Sequence, residues 1–133
     1  MSQPDPVYSR FPEFRLPPWL LGFWAFFLTA ASLQPHRIRG FKQGHPMHAV
    51  VHALAFGVLG SLAILTCSRR HRSLAIVCSA ALGFLIEVVQ ARLYPDAIEW
   101  NDVRSDTLGV LVFSLLTLLV LAIFRHRWKA GST

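Results

Sequence analysis

The sequence predicts an all-α integral membrane protein, a bundle of four transmembrane helices. Of its 133 residues, 53% are hydrophobic and only 15% are charged, whereas about 25% of residues are charged in typical soluble proteins. The apolar residues are gathered into four blocks that short polar stretches separate. Each block is close to the length of about 20 residues that a helix needs to cross a bilayer. The predicted helices cover residues 16–33, 47–67, 73–93 and 105–124.

The first block could instead be a cleaved signal peptide, with Arg15 as its basic flank. Its length and the tryptophans Trp19 and Trp24 favour a helix anchored at the membrane interface. Pro17 and Pro18 do not oppose this, because proline is tolerated in a first helical turn. We therefore keep it as a transmembrane helix.

The distribution of Lys and Arg predicts the orientation. With four spans, both tails and the second loop share one side of the membrane and hold eight basic residues: Arg10, Arg15, Arg69, Arg70, Arg72, Arg125, Arg127 and Lys129. The other side holds five: Arg37, Arg39, Lys42, Arg92 and Arg104. The positive-inside rule then places both termini in the cytoplasm. The resulting organisation is a cytoplasmic tail (1–15), a transmembrane domain (16–124) and a basic cytoplasmic tail (125–133).

The net charge of +6 indicates membrane lipids as partners more than nucleic acid. The basic residues form short runs beside apolar segments, as in membrane proteins that contact anionic lipids. No basic helix face or nucleic-acid-binding motif accompanies them. We expect no nucleic-acid partner, and the oligomeric state stays open.

Several polar residues lie at those ends of the predicted helices that this orientation places at the outer face of the membrane. A carboxylate inside hydrocarbon costs about 2.5–3.5 kcal/mol on insertion scales, so such residues usually mark a site. We expect a polar cluster there, for a ligand or for helix packing. Its members are His48, His52, Glu87, Gln90, Asp102, Arg104 and Asp106, with Gly83 and Gly109 as helix-packing positions.

The histidines His45, His48 and His52 are spaced to share one helix face. Such a row beside carboxylates could hold a divalent metal, but the spacing matches no standard metal motif. Pairing of the imidazoles with the carboxylates is the favoured interpretation. We therefore expect no metal and no cofactor.

The carboxylates divide between the third and fourth helices. Glu87 and Gln90 share one face of the third, and His52 or Arg104 is the natural partner of Glu87. Asp102 is a candidate N-cap for a helix that begins near Ser105. Asp106 lies one turn deeper on the same face, which makes it a candidate for a site or an interhelical hydrogen bond.

The motifs resemble those of the VanZ-like family of small membrane proteins. They are H-A-V-V-H from His48, G-F-L-I-E-V-V-Q from Gly83 and E-W-N-D-V-R-S-D-T-L-G from Glu99. His48 and Ala49 stand where the family usually has Asp and Lys, and the family's loop arginine is replaced near Asp96. The resemblance covers residues 45–115.

This resemblance implies a protein of the cell envelope that reduces the access of glycopeptide antibiotics such as teicoplanin to lipid-linked cell-wall precursor. Two alternatives stay open, a membrane enzyme acting on a lipid phosphate and a purely structural membrane scaffold. Enzymatic activity is the less favoured class, because the sequence contains no nucleophile motif, phosphate loop or H-E-x-x-H.

Overall fold

A computed structural model describes residues 15–34, 46–94 and 97–131. These ranges form an all-helical structure of four helices and no strand: α1 (Pro18–Ser32), α2 (Pro46–Thr66), α3 (Arg72–Leu93) and α4 (Trp100–Gly131). A short 3-10 turn, Arg69–His71, precedes α3. His45, Asp96, most of the predicted N-terminal tail and the three basic residues at 37, 39 and 42 lie outside the described residues.

Three of the four helices are long and apolar enough to cross a membrane. The corresponding segments are Met47–Thr66, Arg69–Leu93 and Trp100–Trp128. The first helix is apolar but has only 15 residues, or about 22 Å at 1.5 Å per residue. Three helices are therefore compatible with membrane spans, and the predicted four spans are met only in part.

The fourth helix is longer than predicted at both ends. It begins at Trp100 instead of residue 105 and continues to Gly131 instead of ending at 124. Charged residues such as Arg125 and Arg127 end an apolar block without ending a helix, because only Gly or Pro strongly opposes helical backbone. Part of the predicted C-terminal tail is therefore the end of α4.

The helices alternate in direction along the bundle. Side-chain hydrogen bonds join His52 to Asp106 and Ser61 to Thr117. The residue that comes later in α2 bonds the residue that comes later in α4, so these two helices run parallel. The α1 helix is antiparallel to α2, because Leu16 N–H donates to Leu65 O whereas Trp24 Nε1 donates to Ala55 O. The short connection between α2 and α3 turns α3 the other way. The start of α2, the end of α3 and the start of α4 consequently meet at one end.

A small apolar core joins the helices, and large apolar side chains cover the outside. Phe56 and Leu59 of α2 and Val110 of α4 are almost fully buried and cluster with Leu28 of α1 and Ile86 of α3. The outward side of α4 is nearly all aliphatic or aromatic and carries exposed Leu108, Leu111, Val112, Leu115, Leu116, Leu119, Val120, Ile123 and Phe124. Soluble monomers rarely expose contiguous apolar patches of this kind, whereas a surface facing lipid requires one.

Candidate functional site

Four predicted residues meet in a single cluster at the N-terminal ends of α2 and α4. His52 Nδ1 lies 2.9 Å from Asp106 Oδ1, and His52 Nε2 lies 3.7 Å from Asp102 Oδ2. His48 Nδ1 lies 3.3 Å from the other oxygen, Asp102 Oδ1. The two imidazole rings are 4.6 Å apart between centroids. We call these four residues the His–Asp cluster.

Helix periodicity explains how these side chains face one another. His48 and His52 are four residues apart on α2, as Asp102 and Asp106 are on α4, so each pair forms a row on one helix face. Because α2 and α4 run parallel, the two rows align in the same order. The structure thus brings both imidazoles to within 3.7 Å of these carboxylates, the arrangement that the sequence led us to expect, and His45 lies outside the described residues.

Capping, which was one candidate role for Asp102, is wrong. Since α4 begins at Trp100, Asp102 lies inside its first turn and its own N–H donates to Glu99 O. Its carboxylate faces the two imidazoles.

Glu87 lies beside this cluster but has a different partner from the expected one. Its side chain is 3% exposed, and its Oε2 accepts a hydrogen bond from the backbone N–H of Glu99 at 3.3 Å. Within the described residues it forms no ion pair with His52 or Arg104, and Arg104 is exposed. Arg104 is close to Asp102 and Asp106 in the sequence, but it lies on another side of α4, where it is exposed.

Gln90 closes the end of α1. Its Nε2 donates to Ser32 O, and Tyr94 Oη donates to Leu33 O at 2.9 Å. The last carbonyls of a helix have no partner within it, so these two side chains, one near the end of α3 and one just after it, satisfy carbonyls at the end of α1. Gln90 thus shares a helix face with Glu87, as predicted, but it bonds the end of α1, whereas Glu87 bonds the backbone just before α4.

Both predicted glycines lie at close contacts between helices. A Cβ added at Gly83 would meet Asp106 Oδ2 at 3.0 Å, and one at Gly109 would overlap the backbone carbonyl of Ala53. Gly83 therefore lets α3 close over the Asp106 carboxylate, and Gly109 lets α4 touch α2. Their assignment to helix packing agrees with this geometry.

The sequence interpretation missed a packing ladder on α2. Ala53, Gly57 and Ser61 recur every four residues and face Gly109, Phe113 and Thr117 of α4. A row of small residues at this spacing is the usual signal for closely packed membrane helices. Tyr94 was also missed, because an isolated tyrosine at a helix end carries no comparable signal.

The acidic groups here are buried, and their only described basic partners are histidines. Asp102 and Asp106 are 3% and 2% exposed, and no described Lys or Arg pairs with them or with Glu87. Their polar partners are the two imidazoles and one backbone amide. Burying a carboxylate costs free energy unless it is paired, protonated or bound to a metal. Contacts with the two histidines are therefore the main interactions here that offset this cost.

No family model, curated protein or solved structure matches this chain. The comparisons therefore identify no family, the VanZ-like family included.

Proposed function

We propose that the chain is a multi-pass protein of the cell membrane, with four spans, both termini in the cytoplasm and the His–Asp cluster near the outer face. The packing of α1 supports the fourth span, because its start bonds Leu65 at the end of α2 and its end bonds Gln90 near the end of α3. The helix thus extends over the depth that its neighbours share. The excess of Lys and Arg in the tails and second loop supports the orientation.

We further propose a VanZ-like, non-enzymatic role in which the protein reduces the access of teicoplanin to lipid-linked cell-wall precursor. One observation carries this proposal: His52, Glu87 and Asp106, which stand in three separate motifs of the resemblance, lie at one end of the bundle. At the outer face, that end meets lipid headgroups. The imidazoles are more exposed than the carboxylates behind them, at 12–13% against 3–5% of the side chain, so an arriving phosphate meets cationic or donor groups first.

Teicoplanin susceptibility tests the role directly. A sensitive bacterial host making the wild-type chain should gain protection, and Glu87→Gln or Asp106→Asn should remove it at equal protein level. The same acid-to-amide change in the N-terminal tail, Asp5→Asn, is the matched control and should keep protection.

Two outcomes contradict the proposal in different ways. Unchanged protection in both cluster variants removes the cluster from the mechanism. No protection by the wild-type chain removes the teicoplanin role and leaves the membrane topology to be judged separately.

A further inference from the structure

We propose that His48, His52 and Asp102 bind one divalent transition-metal ion, for which Zn²⁺ is the best match. Each residue offers one ligand atom, and the three atoms all lie within 4.8 Å of one another. Two of the residues come from the first turns of α2 and the third from the first turn of α4. The ion would therefore join the two helices at one end of their interface.

The distances around Asp102 are close to the dimensions of such a site, with each histidine nearest to a different oxygen of the carboxylate. Zinc bonds to His nitrogen and carboxylate oxygen are about 2.0–2.2 Å long, which places the ligand atoms of a tetrahedral site about 3.3–3.5 Å apart. His48 Nδ1 is 3.3 Å from Asp102 Oδ1, and His52 Nε2 is 3.7 Å from Asp102 Oδ2. One oxygen of Asp102 and one nitrogen of each histidine already lie within 4.8 Å of one another, so the proposed ion would need only a further side-chain adjustment to bind all three.

Asp106 supplies an independent reason for a metal. An ionised carboxylate can only accept, so the 2.9 Å contact assigns the N–H to His52 Nδ1 and leaves Nε2, which lies 3.7 Å from Asp102 Oδ2, with a lone pair. A lone pair facing a carboxylate requires a cation between them, either a proton or a metal ion. A carboxylate that orients a ligating histidine in this way is the common outer partner of zinc sites.

Charge balance and ligand type favour a transition metal over a proton alone. Glu87, Asp102 and Asp106 are buried, and none is paired with a described Lys or Arg. A divalent ion neutralises two of these charges at once. Two imidazoles with one carboxylate suit Zn²⁺ or a neighbouring transition metal, whereas Mg²⁺ and Ca²⁺ prefer oxygen ligands alone. Three protein ligands leave a fourth position for water or a phosphate oxygen.

Metal titration of the full chain in detergent micelles tests this site. Protein stripped with a chelator should take up one Zn²⁺ per chain, and Co²⁺ in its place should give the visible absorption of a four-coordinate ion. His48→Ala and Asp102→Asn should weaken Zn²⁺ binding by about 100-fold or more, beyond the 10–100-fold typical of outer partners. His126→Ala removes an exposed histidine near the far end of α4 and should leave binding unchanged.

Asp106→Asn distinguishes a positioning residue from a ligand. It should weaken Zn²⁺ binding by about 10- to 100-fold while keeping the Co²⁺ absorption, because the three ligands stay in place. If the alanine variants fail to fold, His48→Cys with Cys67 and Cys78 changed to serine replaces them, and a new thiolate-to-Co²⁺ charge-transfer band is expected. Wild-type protein that binds no zinc, equal affinity in folded His48→Ala and Asp102→Asn, or a His48→Cys protein without that band overturns the proposal.

Discussion

His52 Nδ1 lies 2.9 Å from Asp106 Oδ1 although 54 residues separate the two along the chain. The hydrogen bond joins α2 to α4 two turns from the start of each helix, at a position where Asp106 is 2% exposed. Farther toward their C-terminal ends, the two helices stay in contact through Ala53 and Gly109 and through Ser61 and Thr117. The His–Asp cluster is thus the polar end of a closely packed helix pair.

A double-mutant cycle should show that His52 and Asp106 stabilise the fold together. His52→Ala and Asp106→Ala should each lower the free energy of unfolding. Their coupling should be about 0.6 kcal/mol and at most about 1.7 kcal/mol, the average and the maximum of hydrogen bonds between membrane helices measured by such cycles. Reversible unfolding in mixed SDS and detergent micelles measures it. The pair His126→Ala and Asp106→Ala, which share no contact, should be additive. Additivity in the first pair as well would show that the hydrogen bond contributes nothing.

Gly109→Ala should weaken the contact between α2 and α4. The added methyl group would overlap the backbone carbonyl of Ala53, so the helices must separate, and overpacking of this kind costs about 1–3 kcal/mol. Gly22→Ala is the control, because a Cβ at Gly22 meets nothing within 4 Å and alanine favours helix by up to about 1 kcal/mol. The same unfolding assay compares them. Equal stability of the two variants contradicts the close approach at Gly109.

Much of this architecture follows from the pattern of apolar blocks. The bounds predicted for α2 and α3 agree with the structure to within one residue, because charged residues, Gly or Pro flank both apolar blocks in the sequence. The ends of α4 could not be found in this way, since hydropathy marks the edge of an apolar block and the helical backbone continues past it at both ends.

The candidate site, too, could be predicted from the sequence only in part. Spacing along each helix correctly placed Asp102 and Asp106 in one row and Glu87 and Gln90 in another. Spacing does not say which neighbouring helix a row faces. For this reason the partners of Glu87 and Gln90, a backbone amide before α4 and the end of α1, could not be predicted.

Tyr94→Phe should loosen the end of α1 without affecting the helix pair. It removes the hydroxyl that donates to Leu33 O at 2.9 Å, a hydrogen bond worth about 0.5–1.5 kcal/mol. Hydrogen exchange in the last turn of α1 should therefore accelerate by about 2- to 10-fold, with α4 unchanged. Tyr8→Phe, the same deletion in the N-terminal tail, should leave the exchange as in the wild type. Unchanged exchange in Tyr94→Phe would mean that the Tyr94 hydrogen bond does not stabilise the end of α1.

Cysteine labelling in intact cells should place the His–Asp cluster at the outer face. Asn101 and Ser73 are both exposed and lie at the starts of α4 and α3, hence at opposite ends of the bundle. With Cys67 and Cys78 changed to serine, Asn101→Cys should react with a membrane-impermeant maleimide, and Ser73→Cys should react only after permeabilisation. The reverse result would move the cluster to the cytoplasm and end its role toward an external antibiotic.

The same labelling decides whether α1 crosses the membrane. If it does, Ser2→Cys shares the side of Ser73→Cys and stays protected in intact cells, because one crossing separates the N-terminal tail from the outer end of α1. If α1 lies against the bundle without crossing, the tail shares the side of Asn101→Cys and is labelled. Its 15 residues span about 22 Å, short of the hydrocarbon thickness of about 30 Å. Protection therefore also requires Arg15–Pro17 or Leu33 to lie within the bilayer, or the bilayer to thin locally beside α1.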